Sequence, residues 1–475
     1  DYGKNDVLFS GNDQQQALQQ IPRFFEERNP LQRLVVRLLL PRPPLRETGL
    51  RLLEGAAAVS NRAGARDLNR QFLSALYGLH YYQGVADGLG STEAFMELLD
   101  GGGKQKDGSV EFVPWFVLEQ TLGHITHGKN LRSLIPRLSG VEPVFIPVEF
   151  ERTGMTAQLP GWSNWTVRAG VRAHAGIARR VRDRSVPGPS ALFVHSQVPA
   201  VLLGPWMKRY PTVVSLDATP KQYDELGEFY NHQTGSGRVE QIKDWVNGRC
   251  YENAKALVAW SSWAKAGLVD EYQVDPDKIS VIAPGVDLDI WARPAHFPRP
   301  AGVLRVLFVG GDLARKGGDD LLAAQRILRA DPSVPDFEVH LVTGAAVQPE
   351  KGVVVHAGLT ANAPELVAQY HLADIFCLPT YGDCLPMVLA EASAAGLPLV
   401  STNVAGIPGI VREGETGRLV EPGDVDGLVD ALRMLLVDDE TRLRFGEQAR
   451  ELAERQHDAA INAAALVELL RSVVA

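Results

Sequence analysis

The 475 residues are 45% hydrophobic and 22% charged, with a formal net charge of -9 and three cysteines. That length exceeds one compact core and implies two or three domains, while the hydrophobicity excludes a mostly disordered chain. The acidic balance argues against general nucleic-acid binding. Three cysteines are too few for a disulfide framework and fit a reducing compartment, and no apolar run approaches the ~20 residues of a membrane helix.

The chain opens Asp1-Tyr2-Gly3-Lys4, without the apolar stretch of a secretory signal. It lacks an initiator methionine, which fits a fragment of something longer. Residues 14–100 read as successive helices, and Gly101-Gly102-Gly103 begins a linker or exposed turn that runs to Gly108. Residues 21–70 carry ten arginines against five acids. A helical extension is the expected role of residues 1–110, and contact with an anionic membrane or a lipid-linked acceptor is the alternative.

After residue 110 the pattern becomes strand, loop, helix, repeated. Short β-branched runs predict buried parallel strands at 112–118, 144–148, 191–194, 212–216, 256–259 and 279–282. A second series follows Pro298-Arg299-Pro300, at 304–309, 337–342, 353–355, 375–378 and 398–401. The reading is α/β: two Rossmann-like domains, 111–295 and 296–455, facing a cleft, then a C-terminal helix over 456–475. Ligands of such sheets bind at the carboxyl ends of the strands.

Several loops at those ends carry chemistry. Gln120 to Leu131 contains Gly123 and Gly128, which allow close backbone approach, and His124 and His127, for which no third metal ligand stands at sensible spacing. His195 ends its strand, where it is either a hydrogen-bonded structural residue or a ligand contact. Asp217 is either an acceptor-orienting carboxylate or a turn cap before Pro220, and Ser261-Ser262 offers a helix cap. In the second domain, Val309-Gly310-Gly311-Asp312-Leu313-Ala314-Arg315-Lys316 is a glycine-rich loop ending in two cations. It suits a diphosphate, and a solvated basic turn is the alternative. Then comes Asp383-Cys384-Leu385-Pro386-Met387-Val388-Leu389-Ala390-Glu391. Pro386 is placed as the first helical residue, and the helix N-terminus offers free amides to a phosphate or sugar hydroxyl. Asp383 and Glu391 either touch two parts of one extended ligand or are a cap and an ordinary helix carboxylate.

The 383–391 string resembles the E-x7-E signature of retaining glycosyltransferases of family 4, which have the GT-B fold; here the first acid is Asp383. Ala283-Pro284-Gly285-Val286-Asp287, Ala405-Gly406-Ile407-Pro408-Gly409 and Glu413 to Asp424 follow in the family's order. The resemblance spans roughly residues 112–455. Gly409 stands where the family has Glu, and Asp312 where it often has Arg. The resemblance implies a hexosyltransferase that uses a nucleotide sugar, with no metal or other cofactor. Gly310, Gly311, Arg315, Lys316, Asp383, Leu385, Pro386, Met387 and Glu391 would bind the donor. His195, Asp383, Arg315 and Lys316 would act in catalysis. Gly123, His124, His127 and Asp217 would face a glycan, lipid-linked or small-molecule acceptor. The protein would be cytoplasmic, with peripheral membrane contact through its basic N-terminal region as the alternative to a packed helical extension. A non-catalytic nucleotide-sugar-binding scaffold is the alternative.

Overall fold

The computed structural model describes residues 112–121, 123–149, 165–227, 237–294 and 302–474, with scattered positions between 35 and 96. The linker at 101–108, the proline segment at 298–300 and most of the arginine-rich 21–70 lie outside the described residues. The chain divides into compact units at 1–109 and 110–475. In the first, most described residues are helical, and Val36, Leu40, Leu79, Tyr82, Ala86 and Phe95 form a small core. Among the described residues, no helix is long and apolar enough to cross a membrane.

The second unit holds two parallel six-stranded sheets. The first comprises β1 (Pro114–Gln120), β2 (Val144–Glu149), β3 (Ala191–His195), β4 (Thr212–Leu216), β5 (Ala256–Ala259) and β6 (Ile279–Val281), in the order β2-β1-β3-β4-β5-β6. The second comprises β7 (Leu304–Val309), β8 (Phe337–Val342), β9 (Val353–His356), β10 (Ile375–Leu378), β11 (Leu399–Thr402) and β12 (Gly417–Val420), in the order β12-β11-β10-β7-β8-β9. In each, the strand order reverses beside the first strand, so both switch points open toward one cleft. Central strands such as β3 and β10 are buried along their whole length, which is why they read as unbroken apolar runs.

The helices that frame the site are α1 (His124–Leu134), α2 (Trp165–Arg182), α3 (Pro220–Glu225), α4 (Ser262–Tyr272), α5 (Gly318–Ala330), α6 (Pro364–Leu372), α7 (Met387–Ala394), α8 (Val425–Val437), α9 (Asp439–Gln456) and α10 (Ala459–Ser472). Two details correct the sequence reading. Pro386 is not the first helical residue: it is the extended N-cap (ψ 115°) and α7 begins at Met387. β12 was not expected, because Gly417-Arg418-Leu419-Val420 is a half-buried edge strand without alternation.

The chain crosses between the domains twice, and the crossings are laced together. Val286 N–H donates to His457 O at 2.8 Å and Ala459 N–H donates to Val286 O at 3.0 Å. Asp458 then caps α10 by accepting from the amides of Ala460 (2.7 Å) and Ile461 (3.1 Å). α10 buries Ala463, Leu466, Val467 and Leu470 against Phe112, Phe116 and Phe193 of the first domain. Each of the buried leucines and the valine contributes about 1.5–3 kcal/mol, enough to fix the helix there.

Candidate active site

The loop after β7 is shaped by its glycines. Gly317 has φ +73°, and a Cβ there would lie 1.9 Å from Pro379 O, so this loop and the end of β10 touch backbone to backbone. Tyr381 N–H donates to Arg315 O at 2.9 Å, and Arg315 Nη1 donates to Gly382 O at 2.6 Å. Lys316 Nζ forms an ion pair with Asp383. Arg315, Lys316 and Asp383, about seventy residues apart in sequence, therefore form one cluster. Asp312 folds back on it: its Oδ1 accepts from the Arg315 amide at 3.2 Å, and its Oδ2 lies 3.4 Å from Arg315 Nε. Gly310 packs on Phe308 and Lys316, while Gly311 faces open space.

Leu385, Pro386 and Met387 are buried around the start of α7, which begins a few residues past Asp383. A turn deeper, Glu391 is 4% exposed, and its Oε2 accepts from Tyr370 OH at 2.8 Å. Burial pushes its carboxyl up to about 7, against the opposing pull of the tyrosine hydroxyl.

Histidines and carboxylates of the first domain form a second cluster. Glu119, at the end of β1, is buried; it accepts from Ser196 Oγ at 2.5 Å and Trp165 Nε1 at 2.6 Å. His124 opens α1 between two acids, with Nε2 3.5 Å from Asp217 Oδ2 and Nδ1 3.6 Å from Glu119 Oε2. Burial alone would lower its pKa, but Asp217 and Glu119 outweigh that and raise it to about 10, so His124 is an imidazolium. Both carboxylates are held below their usual range despite burial, chiefly by His124. His127 is pushed down to about 3 by burial and by the His124 charge.

His195 is not at the surface of the cleft. It is 1% exposed, its ring stacks on Trp260 at 4.8 Å, and His124 and His127 meet it edge-on at 4.5 and 5.1 Å. Burial and the neighbouring histidines keep it neutral. His124 and Asp217, with side chains 16% and 24% exposed, are the groups nearer the opening. Asp217 is not the turn cap: Thr219 caps α3 in a capping box with Gln222. Ser261 does cap α4, accepting from Ala264 N–H at 3.1 Å. Gly123 faces open space, and Gly128 packs near Gln120.

The two halves meet. Ala218, Tyr223, Leu226 and Trp263 pack on Cys384, Val404 and Ala405, and both Asp217 and Asp383 act on the buried Cys384 thiol beneath them. Tyr223 lies within the fields of Asp217 and Arg315. Sequence reasoning missed Glu119, Tyr223, Trp260 and Tyr370. Only Glu119 left a signal there, as an acid ending an apolar strand. Among the described residues, no three His, Cys, Asp or Glu side chains form a metal-ligating group.

Two parallel α/β domains closing on a cleft lined by basic, acidic and glycine-rich strand ends define a GT-B protein. Solved structures share that fold. Sucrose-phosphate synthase from Thermosynechococcus elongatus aligns over 76% of this chain and 99% of its own, at TM-score 0.57 and 17% identity. Anabaena Alr3699/HepE, in complex with UDP and glucose, aligns over 76% and 100%, at TM-score 0.55 and 15% identity. In sequence, the family described as Glycosyltransferase Family 4 matches residues 145–290, and Glycosyl transferases group 1 matches 304–438. Each of the two Rossmann-like domains thus carries a glycosyltransferase family match of its own. Curated relatives named D-inositol 3-phosphate glycosyltransferase include one from Corynebacterium efficiens, 36% identical over 227 residues, and one from Corynebacterium glutamicum, 34% identical over 251. These matches take in 42% and 47% of this chain, and it spans just over half the length of those relatives, 53% and 59%.

Proposed function

We propose that this protein is a retaining hexosyltransferase that moves a sugar from a nucleotide-sugar donor to a hydroxyl of a glycan, lipid-linked or small-molecule acceptor. The observation that carries this reading is the convergence on one cleft of Lys316 and Asp383 from one domain with His124 and Asp217 from the other. A diphosphate entering beside Gly311 competes with Asp383 for Lys316. Lys316 turns to the phosphate, and Asp383 is released to take hydroxyls of the transferred sugar. The α7 amides add fixed positive charge where the leaving group develops its own negative charge. Glu391 takes the ribose. The acceptor attacks the anomeric carbon on the face the diphosphate leaves, with Asp217 orienting its hydroxyl and His124 holding Asp217. His195 acts from below, through His124 and Trp260. Gly123 and His127 shape the acceptor side. Side-chain and backbone charges neutralise the diphosphate in this scheme, so activity is expected to survive EDTA. Nucleotide sugars and the free cysteines Cys250, Cys377 and Cys384 suit the cytoplasm.

A thermal-shift screen of nucleoside diphosphates and nucleotide sugars tests the reading. UDP-sugars head the panel, because the Anabaena neighbour holds UDP and glucose. Inositol phosphate is the first acceptor to try, because the curated relatives are named for it. A ligand at a hundred times its Kd stabilises the native state by about 2.7 kcal/mol. One base should raise the melting point, and Lys316→Ala and Glu391→Ala should abolish the shift. A well-folded protein that responds to no nucleotide would sink the reading.

A further inference from the structure

Glu391 is held by a residue outside the cleft. Tyr370, on α6, is wholly buried. Trp291 meets its ring edge-on at 4.9 Å and Phe376 stacks on it at 5.5 Å. A ring packed on two sides leaves its hydroxyl little freedom, and that hydroxyl donates to Glu391 Oε2 at 2.8 Å. The charged and titratable neighbours on the adjoining elements have partners of their own, Arg450 among them through Glu454 at 2.7 Å. Arg293 Nη2 donates to Ala373 O at 2.8 Å, His371 Nε2 lies 3.2 Å from Trp291 O, and Arg450 Nη1 donates to Ala394 O at 2.7 Å. Among the described residues, Tyr370 is the one side chain that offsets the effect of burial on Glu391.

We propose that Tyr370 is a positioning residue of the donor site: its hydroxyl fixes one oxygen of Glu391 and favours the carboxylate, so that the other oxygen meets the vicinal hydroxyls of the donor's ribose. This rests on the reading of Glu391 as the ribose ligand. A hydroxyl donating to a carboxylate stabilises the charged form, and removing it moves the titration upward. Wild-type affinity for the nucleoside diphosphate should therefore rise as the pH climbs through about 7, where Glu391 ionises.

The test uses the full chain with Tyr370→Phe, which keeps the ring packing. Two quantities are read from pH 5.5 to 9: calorimetric affinity for the diphosphate found in the screen, and the Glu391 carboxyl titration by carbon NMR, assigned with Glu391→Gln. Tyr370→Phe should shift both midpoints up by about one unit, so that binding is roughly tenfold weaker at pH 6.5 but nearly wild-type at pH 9. An unshifted carboxyl titration overturns the proposal whatever the nucleotide does. A shifted titration with an equal loss of affinity at every pH leaves Tyr370 a packing residue and overturns the positioning role, while the donor-site reading stands. A shifted titration alongside a folded wild type that binds no nucleotide overturns the donor-site reading and this role with it.

Discussion

A buried carboxyl that titrates near neutrality makes stability depend on pH in a fixed direction. Glu391 has a folded pKa raised by burial from 4.5 to about 7. Its protonated form is favoured by folding, so its contribution is complete below the unfolded value and is lost as the pH rises through 7. Glu391→Gln mimics the protonated form and should escape that loss. The variant should melt higher relative to wild type at pH 8 than at pH 4.5, by an amount on the order of 2–3 kcal/mol, read by calorimetry at both pH values. An equal difference at both would refute the assignment. His124 has the same sign in another window. Its pKa is raised from 6.5 to about 10, outweighing burial, by Asp217 and Glu119. The stability it contributes is present below 6.5 and disappears as the pH passes 10. Asp217→Asn removes one of the two acids, so the loss should be smaller and complete at a lower pH, as imidazole NMR would show by a lower His124 midpoint.

At the level of elements, the loop after β7 and the start of α7 set the site, and the backbone decides both. α7 ends in a Schellman motif: Gly396 at φ +71° donates its N–H to Ser393 O at 2.9 Å, and Leu397 N–H donates to Ala392 O at 3.0 Å. That stop returns the chain into β11 after only two turns. Gly317→Ala would force a Cβ against Pro379 O in a left-handed conformation, at a cost of about 1–3 kcal/mol, and would displace Lys316. Gly311→Ala meets open space and should leave the melting point within about 0.5 kcal/mol of wild type. A Gly317→Ala protein that melts like Gly311→Ala would show that the loop does not need this contact. These elements also show what the sequence made legible. β4, β5 and β10 follow from apolar runs because parallel strands buried on both faces carry no competing signal, and β7 and β8 follow despite Arg305, Glu338 and His340 because apolar residues still dominate them. The acids and cations of the second domain could be singled out because they sit in glycine-marked loops. The Lys316–Asp383 pairing could not, since it depends on two loops touching at Gly317. Tyr370 sits in an ordinary helix, and its ring position depends on Trp291, some eighty residues earlier. The burial of His195 depends on Trp260, which follows the end of β5.

At the scale of the molecule, transfer requires the two domains to meet in register, and the double crossing sets that register. A Cβ on Gly285 would stand 2.2 Å from Ala459 Cα and 2.4 Å from its nitrogen. Gly285 O also accepts from Asn130 Nδ2 at 2.8 Å, and Asn130 Oδ1 lies 3.4 Å from Asn362 Nδ2 of the second domain. One backbone position thus touches α1, the start of α10 and, through Asn130, the far side of the cleft. Gly285→Val drives the crossings apart without altering a donor-site side chain. The cluster around Lys316 and Asp383, the proposed nucleotide site, lies wholly within the second domain, so diphosphate affinity should stay within about threefold of wild type. On the proposed mechanism, turnover needs His124 and Asp217 brought against that cluster, and a misplacement of about 1 Å can cost a hundredfold. The expected signature is therefore a large fall in kcat with nucleotide binding retained, measured by calorimetry and steady-state kinetics on the same preparation. Loss of binding in parallel with turnover would mean that the crossing supports the donor domain itself. Unchanged kcat would mean that the domains find their register without it.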